Sequence, residues 1–245
     1  MKSAELPQDV RLPLYHRLRD EMLERITHGE WRPDQAIPTE AELARAYGVA
    51  VGTVRKAVEM LVAEGLLERN QGRGTFVRRP SFDNSLFRFF RLLSSGGQRV
   101  VPDGKVLART LAAPPPPVAA ALGLGRQAQA IRLDRLRLIA GAVVLVEEIW
   151  LPRAPFAGLL DVELGEFGNL LYPFYEARCG QAVASARETL TVDAADAATA
   201  RALGIAEGRP VVVIERLALG YDRRPLEWRR SVGAADTFRY QVEIC

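Results

Sequence analysis

Arg135 and Arg137 stand two apart in Ile131-Arg-Leu-Asp-Arg-Leu-Arg-Leu138, a run that alternates apolar and charged residues. On a strand, both guanidiniums fall on one face, together with Ile131 and Leu133. Two guanidiniums on a partly apolar face form a clamp for a carboxylate or phosphate. Glu147 and Glu227 have the chemistry to accept from hydroxyls or amines of the same ligand. The competing arrangement is a cross-strand ion pair between Arg135 and Glu147. A second concentration of charge lies at Arg69, Arg73, Arg78 and Arg79, with no acid between residues 69 and 82. That stretch is strongly positive, whereas the whole chain of 245 residues has a formal net charge of only +3. His16 and His28 are the only histidines, and Cys179 and Cys245 the only cysteines. Neither pair has metal-ligand or triad spacing, so no catalytic residue, metal site or cofactor is expected.

The elements that position these residues divide the chain in two. Leu14, Leu18, Met22 and Ile26 recur every four positions and predict an amphipathic helix that ends at Gly29. Thr39 and Glu42 form a capping box that opens a second helix, which Gly48 stops. Val54, Ala57, Val58, Leu61 and Val62 are the apolar stripe of a third, with Gly65 at its end. Leu66–Arg69 and Thr75–Val77 flank the loop Asn70-Gln-Gly-Arg-Gly74 and read as a β-hairpin. Residues 80–100 are a connector holding Phe82, Phe87, Phe89 and Phe90. Its aromatic content predicts that about residues 84–93 pack on the second domain, either as core or as the wall of an apolar pocket.

From residue 101 the pattern turns to strands with short helices. Strands are expected at Val106–Leu111, Ile131–Leu138, Val143–Trp150, Val183–Val192, Val211–Leu219, Leu226–Val232 and Phe238–Ile244. Helices are expected near Val118–Leu122, Asn169–Cys179 and Ala194–Leu203. Ala121-Leu-Gly-Leu124 and Ala202-Leu-Gly-Ile205 are each followed, after eight residues, by similar runs, Leu133–Leu138 and Ile214–Leu219. The offset is 81 residues, and 80 at the acids Glu147 and Glu227. A β–helix–β–β unit used twice builds one antiparallel sheet with helices on it, an α+β fold. No apolar run reaches the ~18 residues of a membrane span, and no apolar leader opens the chain. A soluble, cytoplasmic protein is expected.

Two helices joined by a tight turn, the second with exposed basic residues, followed by a basic hairpin, are a winged helix-turn-helix pattern. Its second helix suits the major groove, where base edges are distinguishable. Gly72 and Gly74 let the hairpin backbone approach phosphates, and Arg73 suits a narrow groove. A three-helix protein-interaction module with solvated arginines is the plainer alternative.

Pro13-Leu-Tyr15, Ile26-x-x-Gly29, Ile37-Pro-Thr-Glu-Ala-Glu-Leu43-Ala, Tyr47-Gly-Val49, Thr53-Val-Arg55, Leu61-x-x-Glu64-Gly-Leu66 and Gln71-Gly-Arg-Gly-Thr-Phe-Val77 resemble the GntR family of bacterial transcription regulators. Leu136-Arg137, Glu147, Leu151-Pro152, Leu171-Tyr172, Ala202-Leu-Gly204 and Pro225-Leu-Glu227 are similar to the HutC subfamily, whose effector domain, UTRA, has a chorismate-lyase-like fold. The resemblance implies a DNA-binding domain at 1–79, a linker at 80–100, and an effector-binding and dimerisation domain at 101–245. It implies a repressor that binds a near-palindromic double-stranded operator as a homodimer and answers to a small anionic metabolite, with no membrane partner. The DNA-facing residues are then Thr39, Ala50, Val51, Thr53, Arg55, Lys56, Arg73 and Gly74. The effector-facing residues are Ser85, Arg135, Arg137, Glu147 and Glu227. For Arg55 the alternative is a buried structural ion pair. The family turn, Val-Ser-Arg-x-Thr-Val-Arg, is here Val49-Ala-Val-Gly-Thr-Val-Arg55, so a hydroxyl and an arginine are replaced by Ala50 and Val51. The operator is expected to differ at one position per half-site, where Val51 can meet a thymine methyl. Relatives that bind sugar phosphates carry a serine where Leu170 stands, which argues against an amino-sugar phosphate. An enzyme on the second domain with an accessory DNA module is the alternative function, and it lacks an acid–base pair of activating spacing.

Overall fold

A computed structural model describes residues 12–33, 35–78, 102–125 and 127–238. The expected connector at 80–100, with Ser85, and all but Phe238 of the expected last strand lie outside the described residues. These residues fall into two compact units.

The first unit opens with α1 (Leu14–Thr27), which buries Leu18, Met22 and Ile26. Leu14, expected on the same stripe, is 39% exposed, because it is the first helical residue, where the stripe runs out. α2 (Glu40–Tyr47) is capped by Thr39, which accepts from the Glu42 amide while the Glu42 carboxylate accepts from the Thr39 amide. Gly48, at φ +65°, takes the left-handed conformation that ends it. α3 (Val51–Ala63) buries Val54, Ala57, Val58 and Leu61, each apolar side chain contributing about 1.5–3 kcal/mol if fully withdrawn from water, less for alanine. The stripe packs against α1 and α2, and Arg19 of α1 is held by Glu64 at the end of α3. β1 (Leu67–Asn70) and β2 (Gly74–Val77) pair antiparallel. The Ile37 amide donates to the Thr75 carbonyl, tying the hairpin to the segment before α2.

The second unit is a six-stranded sheet. β3 (Asp103–Ala112), α4 (Pro116–Ala121), β4 (Ala130–Ile139) and β5 (Ala142–Pro152) form its first half. After α5 (Leu171–Cys179), β6 (Val183–Ala194), α6 (Ala197–Leu203), β7 (Pro210–Gly220) and β8 (Pro225–Ala234) repeat the same order. The strand order is β3-β4-β5-β8-β7-β6, and the β3–β4, β4–β5, β5–β8 and β7–β8 pairs are antiparallel. The two halves therefore meet along β5 and β8, as a β–helix–β–β unit used twice requires.

The two faces of the sheet differ. One gathers Ile131, Leu133, Ile149 and Leu151 against Phe156, Leu159, Val162, Phe167 and the α5 residues Leu171 and Tyr175. Separate small cores hold the short helices: Val118 and Leu122 with Ala130 and Trp150, and Ala200 with Val211, Val213 and Val232. Three expectations need correction. Phe238 is not in a strand, because residues 235–237 form a single 3-10 turn after β8. The helix expected from Asn169 begins at Leu171, with Leu170 in extended backbone. The helix expected from Ala194 begins at Ala197, because the Asp196 carboxylate caps the Thr199 amide.

Unlike α2, α3 has no side-chain cap, since its N-cap residue is Ala50. Replacing an uncapped N-cap alanine by serine satisfies one orphan amide. Ala50→Ser is expected to stabilise the first unit by roughly 0.5–2 kcal/mol, seen as a higher urea midpoint. An unchanged midpoint would show that those amides already have partners.

Candidate functional site

The residues expected to face DNA lie at the surface of the first unit, apart from one that is half-buried. Thr39, Ala50, Val51, Arg55, Lys56, Arg73 and Gly74 are exposed and Thr53 is half-buried. The helical period of α3 makes this arrangement, since Val54, Ala57 and Val58 turn inward, leaving Arg55 and Lys56 outside and Thr53 at the boundary. Arg55 is in an ion pair, but not a buried one. Its Nε donates to Glu40 at 3.0 Å while its side chain stays 60% exposed. Arg69 donates to the other Glu40 oxygen at 3.0 Å, so one carboxylate orients an arginine from α3 and one from β1. Lys56 Nζ lies 3.8 Å from the Tyr15 ring centroid, a cation–π contact that fixes its stem. Gly74, at φ +117°, closes the hairpin tip in a conformation that side-chain-bearing residues rarely adopt. Glu40, Arg69 and Tyr15 were not among the expected site residues. Ion pairing across elements leaves no periodic mark in a sequence.

The second unit holds a buried polar cluster where four of the expected effector residues converge. Arg135, Arg137, Glu147 and Glu227 are all at most 2% exposed. Register brings them together: Arg135 lies opposite Glu147 on β4 and β5, and Glu147 opposite Ser231 on β5 and β8. Arg135 Nη1 reaches Glu147 Oε2 at 3.2 Å, so the cross-strand pair forms. Glu147 also accepts from Arg229 Nη1 at 3.4 Å and Ser231 Oγ at 3.2 Å. Glu227 accepts from Arg229 at 3.0 and 2.8 Å, from Tyr172 Oη at 3.1 Å and from Tyr175 Oη at 2.9 Å. Arg216 on β7 pairs with Glu188 on β6 and donates to Tyr172 Oη.

The segment leading into α5 closes the cluster. The Asn169 main-chain carbonyl accepts from Arg135 Nη2 at 2.6 Å and from Arg137 Nη1 at 2.7 Å. Its side chain accepts from the Gly104 amide at 2.8 Å and donates to Asp103 at 3.2 Å. A Cβ on Gly104 would overlap the Arg135 guanidinium, so this glycine makes room for the arginine to lie across β3. The Nε atoms of Arg135 and Arg137 are buried without a hydrogen-bond partner.

Burial and charge act against each other here. Burial pushes the Glu147 carboxyl up, but Arg229, Arg135 and Arg137 outweigh it and hold the group at about 2. Burial lowers Arg135, and it lowers Arg137 to about 10. Tyr172 is pushed up to about 12 by burial and then by Glu227. Arg216, Arg229, Tyr172, Tyr175, Ser231 and Asn169 were missed from the sequence. Two of them had a signal. Arg216 stands 81 residues after Arg135, and Arg229 shares a strand face with Glu227 two residues away.

A winged helix-turn-helix unit with exposed basic residues, in one chain with a sheet domain that holds a buried polar cluster, is the architecture of a DNA-binding transcription regulator. Residues 14–77 match the family of bacterial regulatory proteins called gntR, and residues 97–239 match the UTRA domain. The HTH-type transcriptional repressor NagR of Bacillus subtilis is 30% identical over 232 residues, 94% of this chain and 93% of NagR. The histidine utilization repressor of Klebsiella aerogenes is 40% identical over 84 residues, 34% of this chain and 35% of that protein. The crystal structure of PhnF from Mycobacterium smegmatis matches with a TM-score of 0.55 and 25% identity, covering 95% of this chain and 99% of that one. The chain belongs to the GntR family, HutC subfamily. It is a DNA-binding transcription regulator and not an enzyme. Among the described residues no helix is long and apolar enough to cross a membrane.

Glu147 holds two buried guanidiniums, so Glu147→Gln is expected to destabilise the second unit by about 3–5 kcal/mol at neutral pH. The folded-state pKa of about 2 is depressed below the ordinary 4.5. The carboxylate's contribution is therefore complete above about pH 4.5 and is lost as the pH falls towards 2. Denaturant midpoints of the two proteins should differ most at neutral pH and converge across that window. A constant gap would show that the charge of Glu147 is not what stabilises the cluster.

Proposed function

We propose that this protein is a ligand-responsive repressor that binds a near-palindromic operator as a homodimer and is controlled by a small anionic metabolite. The observation that carries the DNA half is the exposure of the α3 N-terminus and of the hairpin tip on a unit whose apolar stripe faces inward. In this reading Val51, Thr53, Arg55 and Lys56 enter the major groove, with Ala50 and Thr39 against the adjoining backbone. Arg73 and Gly74 approach the neighbouring backbone or minor groove. With Val51 in place of the family's arginine, a bidentate guanine contact worth about 1–3 kcal/mol of discrimination is absent. An apolar contact to a thymine methyl takes its position.

The effector half rests on Arg135, Arg137, Glu147 and Glu227. A buried arginine–glutamate network is a poor device for stability alone, but it suits recognition of a charged ligand in a dry site. The domains proposed are 1–79 for DNA, 80–100 as linker and 101–245 for effector binding and dimerisation. Ser85 remains a proposed donor to the ligand. The homodimer draws support from β6, a twelve-residue strand at the sheet's edge whose Leu190 and Val192 are exposed. Long exposed edges of this kind are normally covered. Relatives named as repressors of fructoselysine utilization and of mannosyl-D-glycerate transport and metabolism support control of a catabolic system.

The test is fluorescence anisotropy on an operator selected from random duplexes. Affinity should fall steeply with salt, and Arg55→Ala should weaken operator binding about 10- to 100-fold, the equivalent of 1–3 kcal/mol. Val51→Arg should shift the preferred base towards guanine at one position per half-site. Normal operator binding by Arg55→Ala, or equal affinity for random DNA, would reject the reading.

A further inference from the structure

The charges of the effector cluster do not balance. With Arg216 matched by Glu188, three further guanidiniums, Arg135, Arg137 and Arg229, are buried beside two carboxylates, Glu147 and Glu227. Arg229 pairs with both glutamates and Arg135 with Glu147. Arg137 is 2% exposed, and among the described residues no carboxylate lies at ion-pair distance from it. Its Nη1 donates to the Asn169 carbonyl, and its Nε is buried with no partner. Asp103, the neighbouring acid on β3, is exposed and engaged with the Asn169 amide. Glu147 and Asp103 attract Arg137 only from beyond ion-pair distance, and a buried cation whose nearest acceptor is a neutral carbonyl is costly. An anion delivered to that point removes the cost.

The Asn169 carbonyl marks the point, because a single planar oxygen is shared there by Arg135 Nη2 and Arg137 Nη1. We propose that the effector is a monocarboxylate without a phosphate group, and that one of its carboxylate oxygens takes over these two donors from the Asn169 carbonyl. This rests on the effector-site reading and names its ligand class.

Charge and shape both select that class. One negative charge brings three cations and three anions into balance. A phosphate monoester, close to doubly charged at neutral pH, would leave the site negative, and the desolvation cost of an ion rises steeply with its charge. A carboxylate is trigonal and planar like the carbonyl that it replaces, and it accepts from paired guanidiniums in one plane.

Thermal unfolding of the full-length protein and of Arg137→Met tests the proposal. The probes are sodium acetate and sodium benzoate as monocarboxylates, with sodium phosphate and sodium chloride at equal ionic strength, at about pH 8, where phosphate is doubly charged. In chloride, Arg137→Met should melt at or above the wild type, because an uncompensated charge is removed. The monocarboxylates should raise the wild-type melting temperature about 2 °C or more above chloride and leave Arg137→Met at its chloride value. Phosphate should give no rise that depends on Arg137. If phosphate gives the larger Arg137-dependent rise, the monocarboxylate class is wrong and the effector site stands. If no anion gives a rise that depends on Arg137, the effector-site reading falls as well. Should Arg137→Met fail to fold, Arg137→Gln carries the same comparison.

Discussion

The second unit is organised around one carboxylate. Glu147 sits in the centre of the sheet on β5, wholly out of water, with Arg135 reaching it from β4 and Arg229 from β8. Removing two such charges from water costs several kcal/mol per ion, and only close pairing with the remaining hydrogen bonds satisfied offsets it. The surrounding structure supplies that satisfaction. Ser231 and Arg229 fill the other Glu147 oxygen, and Tyr172 and Tyr175 complete Glu227. What this network leaves without a carboxylate at ion-pair distance is Arg137, at the end of β4 that faces Asn169.

The duplicated β–helix–β–β unit explains why the charges meet where they do. Each half contributes an arginine on its second strand and a glutamate on its third: Arg135 with Glu147, and Arg216 with Glu227. Joining the halves through β5 and β8 brings the two glutamate strands side by side at the middle of the sheet. The halves then diverge. Arg135 pairs with the glutamate of its own half, whereas Arg216 turns to Glu188 on β6 and leaves Glu227 to Arg229. A symmetric scaffold thus carries an asymmetric charge pattern.

Much of the fold was legible because its signals are local. The Thr39–Glu42 capping box, the α3 stripe at Val54, Ala57, Val58 and Leu61, and the glycine-bearing hairpin all act within a few residues. The 81-residue similarity revealed the repeated architecture for the same reason, since it compares one short run with another. The site was legible only in part. Alternation placed Arg135 and Arg137 on one face, but it cannot say that the face is covered, because the cover comes from residues 156–179. Arginine is seldom fully buried, so neither the clamp nor the cross-strand ion pair implied that both guanidiniums are withdrawn from water. The donors Tyr172 and Tyr175 and the Asn169 carbonyl were invisible for the same reason. They reach the sheet through tertiary packing, and a main-chain carbonyl carries no residue type to read. Gly104 had no signal at all, since the need for its missing side chain arises only from where Arg135 lies.

The two units use the same chemical pair, arginine with glutamate, for opposite ends, and solvent decides which. In the first unit Glu40 holds Arg55 and Arg69, both substantially exposed. Pairs of that kind contribute at most about 1 kcal/mol, so an arriving phosphate can compete for the same guanidiniums at little cost. Glu40 then orients the two arginines in the absence of DNA without locking them away. In the second unit the same pairing is dry, and breaking it by removing one partner costs several times more. An anion there cannot displace Glu147 from Arg135 or Arg229. It can compete only for the donors that a neutral carbonyl now occupies. Exposure leaves the arginine pairs of the first unit open to exchange, and burial leaves only the donors on the Asn169 carbonyl open to it in the second.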